Sequence, residues 1–191
     1  MEKLNSKKNW TNLSKIIIVE GFWQIGKTKL IDHLAKKFDY TVITEPNHII
    51  SGVKKNISKW YHKKHRERYK EAIIQLNRGK RIVMERSIIS SIAFDYAKIS
   101  TLPSGFRKDL ENIRKLKNFL IIVLYANRTF ITKRALTLKD NSVKKQILDN
   151  PKFYQNYLYF YKKILPPLID YKIIFKKVNK GWKFKSFKEI L

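Results

Sequence analysis

Short apolar or β-branched runs recur along the chain at Ile16 to Val19, Thr41 to Thr44, Ile82 to Met84, Phe119 to Tyr125 and Ile173 to Phe175. Longer segments with helical spacing separate them, and that alternation predicts a parallel sheet in an α/β fold. Leu30, Ile31, Leu34, Ala35 and Phe38 form a single stripe that starts a helix after Gly26 and leaves Lys36 and Lys37 to solvent. A long polar helix is predicted from Ser58 to Asn77, stopped near Gly79, and another from Ile88 to Ile99, ended by Pro103 and Gly105. After Tyr125 come a helix to Leu136, a polar stretch from Thr137 to Ser142, and an aromatic-rich helix ending before Pro166 and Pro167. In that last helix Phe153, Tyr154, Tyr157, Phe160 and Tyr161 repeat at core spacing. No repeat or linker divides residues 1–191, so one domain is expected, with a polar, basic tail over residues 1–14.

Between the first strand and the first helix lies Gly21-Phe22-Trp23-Gln24-Ile25-Gly26-Lys27-Thr28, two glycines five apart followed by Lys and a hydroxyl. This is the phosphate-loop pattern in the strand-to-helix context it requires. Glycines let successive N–H groups face inward, and the following helix adds the positive end of its dipole. Gly21, Trp23, Gly26, Lys27 and Thr28 are therefore the expected nucleotide-binding residues, with Lys27 on the outer phosphates and Thr28 on Mg²⁺. At the carboxyl end of the third strand, where open α/β sheets hold ligands, stand Glu85 and Arg86. Glu85 is expected to hold Mg²⁺ through water, and Arg86 to stabilise the transferring phosphoryl group or the acceptor.

Composition narrows the partners. With 43% hydrophobic and 13% aromatic residues, the chain can bury a core. Lys and Arg number 42 against 15 acids, a formal +27, which favours phosphate-bearing partners, small or polymeric. Cys is absent, which excludes disulfides, thiolate metal sites and a Cys nucleophile, and an intracellular, cytoplasmic setting is expected. No apolar run approaches the roughly 20 residues of a membrane span, so no membrane partner is expected. His62 and His65 lie three apart with no third ligand at metal-site spacing.

Together, Glu20 with the phosphate loop, Glu45-Pro46, Glu85-Arg86-Ser87, Ser90 and Ala93-Phe94 resemble the thymidylate kinase and deoxynucleoside kinase superfamily of P-loop kinases, from Ile16 to Phe175. The resemblance implies a three-layer fold, a five-stranded parallel sheet with helices on both faces, plus a short lid. It also implies ATP and Mg²⁺, and often a homodimer. The motifs divide between the branches: Glu85-Arg86-Ser87 reads like the deoxynucleoside kinases, whereas Arg78-Gly79-Lys80, Ser90 and Ala93-Phe94 have thymidylate kinase spacing. A nucleoside 5′-hydroxyl needs a base, which by the resemblance is Glu45; a monophosphate needs cations. Thr44 stands where thymidylate kinases carry Arg, but Lys63, Lys64, Arg66 and Arg68 crowd one helix and offer a phosphate clamp. Trp60 and Lys64 match a base-stacking and a phosphate-binding position of thymidylate kinases. By the same likeness residues 128–145 are the lid over ATP, with Arg134 and Lys139 as its cations. The expected activity is transfer of the γ-phosphoryl group to a small-molecule acceptor, with a nucleoside monophosphate, dTMP, favoured over a deoxynucleoside. Two alternatives remain: a P-loop protein that binds or acts on nucleic acid through its basic faces, and a degenerate relative that binds ATP only.

Overall fold

The computed structural model describes residues 14–114, 119–137, 141–169 and 172–178. Strands β1 (Ile16–Gly21), β2 (Tyr40–Ile43), β3 (Arg81–Glu85), β4 (Phe119–Tyr125) and β5 (Lys172–Lys177) form one sheet in the order β2-β3-β1-β4-β5, every neighbouring pair parallel. Ile16 of β1 aligns with Ile82 of β3 on one side and Phe119 of β4 on the other. All of β1 is buried, as is β4 up to Leu124. Strands covered on both faces have no polar side to show, which is why β4 and Ile16 to Val19 of β1 read as unbroken apolar runs. Edge strand β5 carries Lys172, Lys176 and Lys177, charges that discourage further pairing.

Helices pack on both faces of this sheet, as the resemblance implies. They are α1 (Lys27–Phe38), α2 (Ile57–Asn77), α3 (Ile88–Ile99), α4 (Phe106–Arg114), α5 (Arg128–Ala135), α6 (Asn141–Asp149) and α7 (Phe153–Tyr159). Helix α3 is capped by Ser87, whose Oγ accepts from the Ile89 amide at 3.1 Å, and α5 by Asn127, whose Oδ1 accepts from Phe130 at 2.8 Å.

Two expectations change. The segment after Gly105, for which the pattern predicts no element, forms α4, which buries Leu110 and Ile113. The aromatic-rich segment is preceded by α6, which begins at Asn141 inside the expected polar stretch. Pro151 separates α6 from α7, which ends in one wide π turn over Phe160–Ile164 with Leu165 N donating to Phe160 O at 2.8 Å. The five aromatic residues assigned to the core are all buried.

Candidate active site

Chain reversal at the end of β1 builds the phosphate loop. Gly21 has φ +142°, and a Cβ there would lie 2.7 Å from the Leu124 carbonyl oxygen, so only glycine fits between the loop and β4. Gly26 at φ 98° precedes α1 without a side-chain cap, which leaves the first-turn amides of α1 free for an anion. Lys27 is buried and its Nζ donates to the Phe22 carbonyl at 3.0 Å, so the ammonium lies across the loop. Burial, reinforced by the Arg86 charge and opposed by Glu45, Glu85 and Glu20, lowers its pKa to about 8. Thr28 Oγ1 donates to Glu85 Oε1 at 3.3 Å. These two hard oxygen donors, side by side at the loop's mouth, suit Mg²⁺.

Arg86, at the end of β3, is the centre of a second cluster beside the loop. It is 3% exposed, sits at φ 55°, and donates from Nη1 to Glu45 Oε1 at 2.8 Å. Its guanidinium lies 5.0 Å from the Phe94 ring centre and 5.3 Å from that of Trp23, while the two rings stack at 4.3 Å. Nε and Nη2 of Arg86 have no hydrogen-bond partner, so a buried cation keeps donors to spare. Burial alone would weaken its charge, but Glu45 and the neighbouring acid and tyrosines outweigh this and raise its pKa.

Behind Arg86, Glu20 is fully buried and accepts from Ser87 Oγ and Ser90 Oγ at 2.6 Å each and from Tyr161 Oη at 3.1 Å. Burial raises its pKa against those hydrogen bonds and the Arg86 charge. Glu20 thus ties the end of β1 to the start of α3 and to the π turn.

Glu45, Arg86, Trp23 and Phe94, with Tyr61 and His65 of α2, wall a cavity of about 300 Å³. His65 is buried; its Nδ1 accepts from Arg68 at 2.8 Å, which leaves its ring proton on Nε2. Burial and the charges of Arg68 and Arg86 hold it well below its usual pKa, so it is neutral at pH 7.

The expected residues do not all converge. Gly21, Gly26, Lys27, Thr28 and Glu85 gather at the loop, and Glu45 and Arg86 beside it. Trp23, expected at the nucleotide, stacks on Phe94 and lines the cavity beside Glu45 and Arg86. Trp60 packs edge-on against Tyr61 and does not line the cavity. Lys64 pairs with Glu67 at 2.7 Å, and Arg66 forks onto Asp109 Oδ1 at 2.9 and 2.7 Å; neither lines it. Arg68 is buried and donates from Nη1 and Nη2 to the carbonyls of Ile43, Glu85 and Arg86 at 2.8, 2.7 and 3.2 Å, joining the ends of β2 and β3, while its Nε has no partner. Arg134 is exposed over the Phe130 ring, and Lys139 lies outside the described residues. After α5, Thr137 Oγ1 donates to Gln24 of the phosphate loop at 2.8 Å, so this end of the expected lid touches the nucleotide side. Glu20, Tyr61 and His65 had no assigned role. The burial of Glu20 comes from partners up to 141 residues away in sequence, which no local pattern carries.

Among the described residues no helix is long and apolar enough to cross a membrane, and no group of three acidic or His side chains forms a metal cluster. No protein-family model matches the chain, and no curated protein matches it by sequence. Solved structures do. Deoxyadenosine kinase from M. mycoides with bound dATP superposes at TM-score 0.58 and 16% identity, covering 92% of this chain and 95% of that one. The same kinase with its products dCMP and a flexible dCDP gives 0.59 and 16%, covering 88% and 92%. YorR protein from Bacillus subtilis in complex with phosphorylated GDP gives 0.53 and 15%, covering 85% of each. The chain has the fold of these P-loop proteins.

Proposed function

We propose that this protein is a nucleoside kinase that transfers the γ-phosphoryl group of ATP to the 5′-hydroxyl of a deoxynucleoside. One observation carries the reading: the Glu45–Arg86 pair, 2.8 Å apart, lies at the phosphate-loop end of an aromatic-walled cavity. Of the cations expected to clamp a monophosphate, Lys64, Arg66 and Arg68 are engaged elsewhere, and Lys63 is exposed and does not line the cavity. That arrangement favours an acceptor needing a base over one needing extra positive charge, and so departs from the monophosphate leaning of the sequence motifs. The fold shared with deoxyadenosine kinase supports the same choice.

In the proposed reaction the 5′-oxygen forms a bond to the γ-phosphorus while the bond to the bridging oxygen breaks and ADP leaves with its electron pair. Glu45 takes the hydroxyl proton; Arg86 holds Oε1, which leaves the other carboxylate oxygen for the acceptor. The unpartnered Nε and Nη2 of Arg86 meet charge developing on the transferred group. Lys27 leaves the Phe22 carbonyl for the outer phosphates, and the loop amides hold the rest. Phe94 and Trp23 give the base an apolar slot. A magnesium ion, which Thr28 and Glu85 would hold, supplies neutralisation of phosphate charge. Exposed Arg134 acts only if the segment after α5 closes over ATP.

ADP release coupled to a panel of deoxynucleosides and monophosphates tests this. At least one deoxynucleoside should stimulate turnover, and Glu45→Gln should lower kcat by about 10²–10⁴-fold. Turnover with monophosphates alone, undiminished in that variant, would overturn the reading.

A further inference from the structure

A second hollow, about 850 Å³, opens beside the acceptor cavity and shares Ile57, Ser58, Asp95 and Lys98 with it. Ser58 donates to Asp95 at 2.9 Å, so the start of α2 and the last turns of α3 form the partition between them. Lys98 stands on α3 three turns beyond the Arg86 end, about 10 Å along the axis from Ser91, which also lines the acceptor cavity.

The walls of this hollow are strongly cationic. Lys54, Lys59, Arg66, Lys98 and Lys108 line it, with His62, against two carboxylates, Asp95 and Asp109. Both carboxylates are already engaged: His62 Nδ1 meets Asp109 at 2.9 Å, its Nε2 meets Asp95 at 3.4 Å, Arg66 forks onto Asp109, and Lys98 lies 3.8 Å from Asp95. Lys54, Lys59 and Lys108 are exposed and form no ion pair among the described residues. A concave surface of one sign focuses its potential, and lysines meet phosphate as point charges without the fixed fork that Arg66 has given to Asp109.

We infer that this hollow is a second subsite, which takes a phosphate carried by the acceptor itself. Resting on the kinase reading, this makes the preferred acceptor a 5′-hydroxyl nucleoside unit bearing a further phosphate or phosphodiester. The nucleoside occupies the aromatic cavity with its hydroxyl at Glu45, and the attached anion passes the Ser58–Asp95 partition to Lys59, Lys98 and Lys108.

The test compares three acceptors that share a base: a deoxynucleoside, its 3′-phosphate, and a short single-stranded oligonucleotide with a 5′-hydroxyl. Equilibrium affinity and kcat/KM are measured for wild type and for the Lys59→Glu, Lys108→Glu double variant, whose changes are on exposed side chains outside the catalytic pair. The phosphate-bearing acceptors should bind about tenfold more tightly than the plain nucleoside, the scale of two or three exposed charge contacts. The advantage should shrink with added salt and vanish in the double variant, while kcat/KM for the plain nucleoside stays the same. Equal gains for the 3′-phosphate and the oligonucleotide support a single phosphate as the ligand; a larger gain for the oligonucleotide supports a strand. Equal affinity for all three acceptors, or a gain that survives in the double variant, would overturn the subsite. Absence of turnover with every acceptor would instead remove the kinase reading, and equilibrium binding of the 3′-phosphate would still decide the subsite.

Discussion

Arg68 separates a structural arginine from a ligand-binding one. Its guanidinium contacts three main-chain carbonyls and His65 within a buried joint, at distances between 2.7 and 3.2 Å. Replacing it with Met removes the charge but keeps most of the side-chain volume, so the carbonyls of Ile43, Glu85 and Arg86 lose their donors. A hydrogen bond from a charged group contributes about 1.5–3 kcal/mol, and a buried carbonyl left bare costs about 1–3 kcal/mol. Those figures do not add fully, because water reaches part of the joint and the burial cost of the guanidinium is recovered; the net loss expected is about 3–5 kcal/mol. With a urea slope of about 2 kcal/mol per M, the unfolding midpoint should fall by about 1.5–2.5 M. Arg68→Lys should recover only part of this, since an ammonium cannot span the ends of both strands at once. Urea titration followed by far-UV circular dichroism gives the answer. A midpoint within 0.5 M of wild type (about 1 kcal/mol at that slope), with a raised KM for a phosphate-bearing acceptor instead, would refute the structural role.

Three further outcomes follow from the site. Because the Lys27 pKa is lowered to about 8, ATP affinity should be level below that pH and fall roughly tenfold per unit above it; Lys27→Met should abolish the dependence, as isothermal titration across pH 6.5–9.5 would show. Burial opposes charging of His62, but the hydrogen bonds and charges of Asp109 and Asp95 prevail and raise its pKa to about 9. Its stabilisation is therefore complete below pH 6.5, the unfolded value, and is lost as pH rises through about 9. Discounted for its half-open setting, that is about 1–2 kcal/mol, read as the pH-dependent stability difference between wild type and His62→Asn; a pH-independent difference would contradict it. The comparison also cancels Lys27, whose lowered pKa acts in the opposite direction. Gly21→Ala should cost about 2–4 kcal/mol through strain and the clash with Leu124, lowering the melting temperature by at least about 5 °C in differential scanning calorimetry, whereas an unchanged melting temperature would count against that packing.

The strands and the phosphate loop were legible because each is written contiguously. Double-sided burial makes β4 and Ile16 to Val19 of β1 apolar throughout, and the loop's glycines, Lys27 and Thr28 are neighbours in sequence. Helix α4 was missed although Phe106, Leu110 and Ile113 repeat at helical spacing, because its other positions are charged and a Gly precedes it. Two of the cations expected to converge on α2 diverge instead: a helix turns about 100° per residue, so Arg66 and Arg68 leave it about 200° apart. One went to Asp109 and the other into the joint between β2 and β3. The direction of Trp23 was not legible either, since it depends on Phe94, 71 positions away.

Glu20 has a consequence for how the molecule matures. The phosphate loop and the Arg86 corner are complete within the first half of the chain, but the third hydroxyl on the carboxylate behind them comes from Tyr161. A nascent chain that has left the ribosome only as far as α5 therefore carries the phosphate loop in front of a carboxyl group that still lacks its Tyr161 partner. The surroundings of Glu20 are completed only when the aromatic helix and its π turn dock behind the first strand.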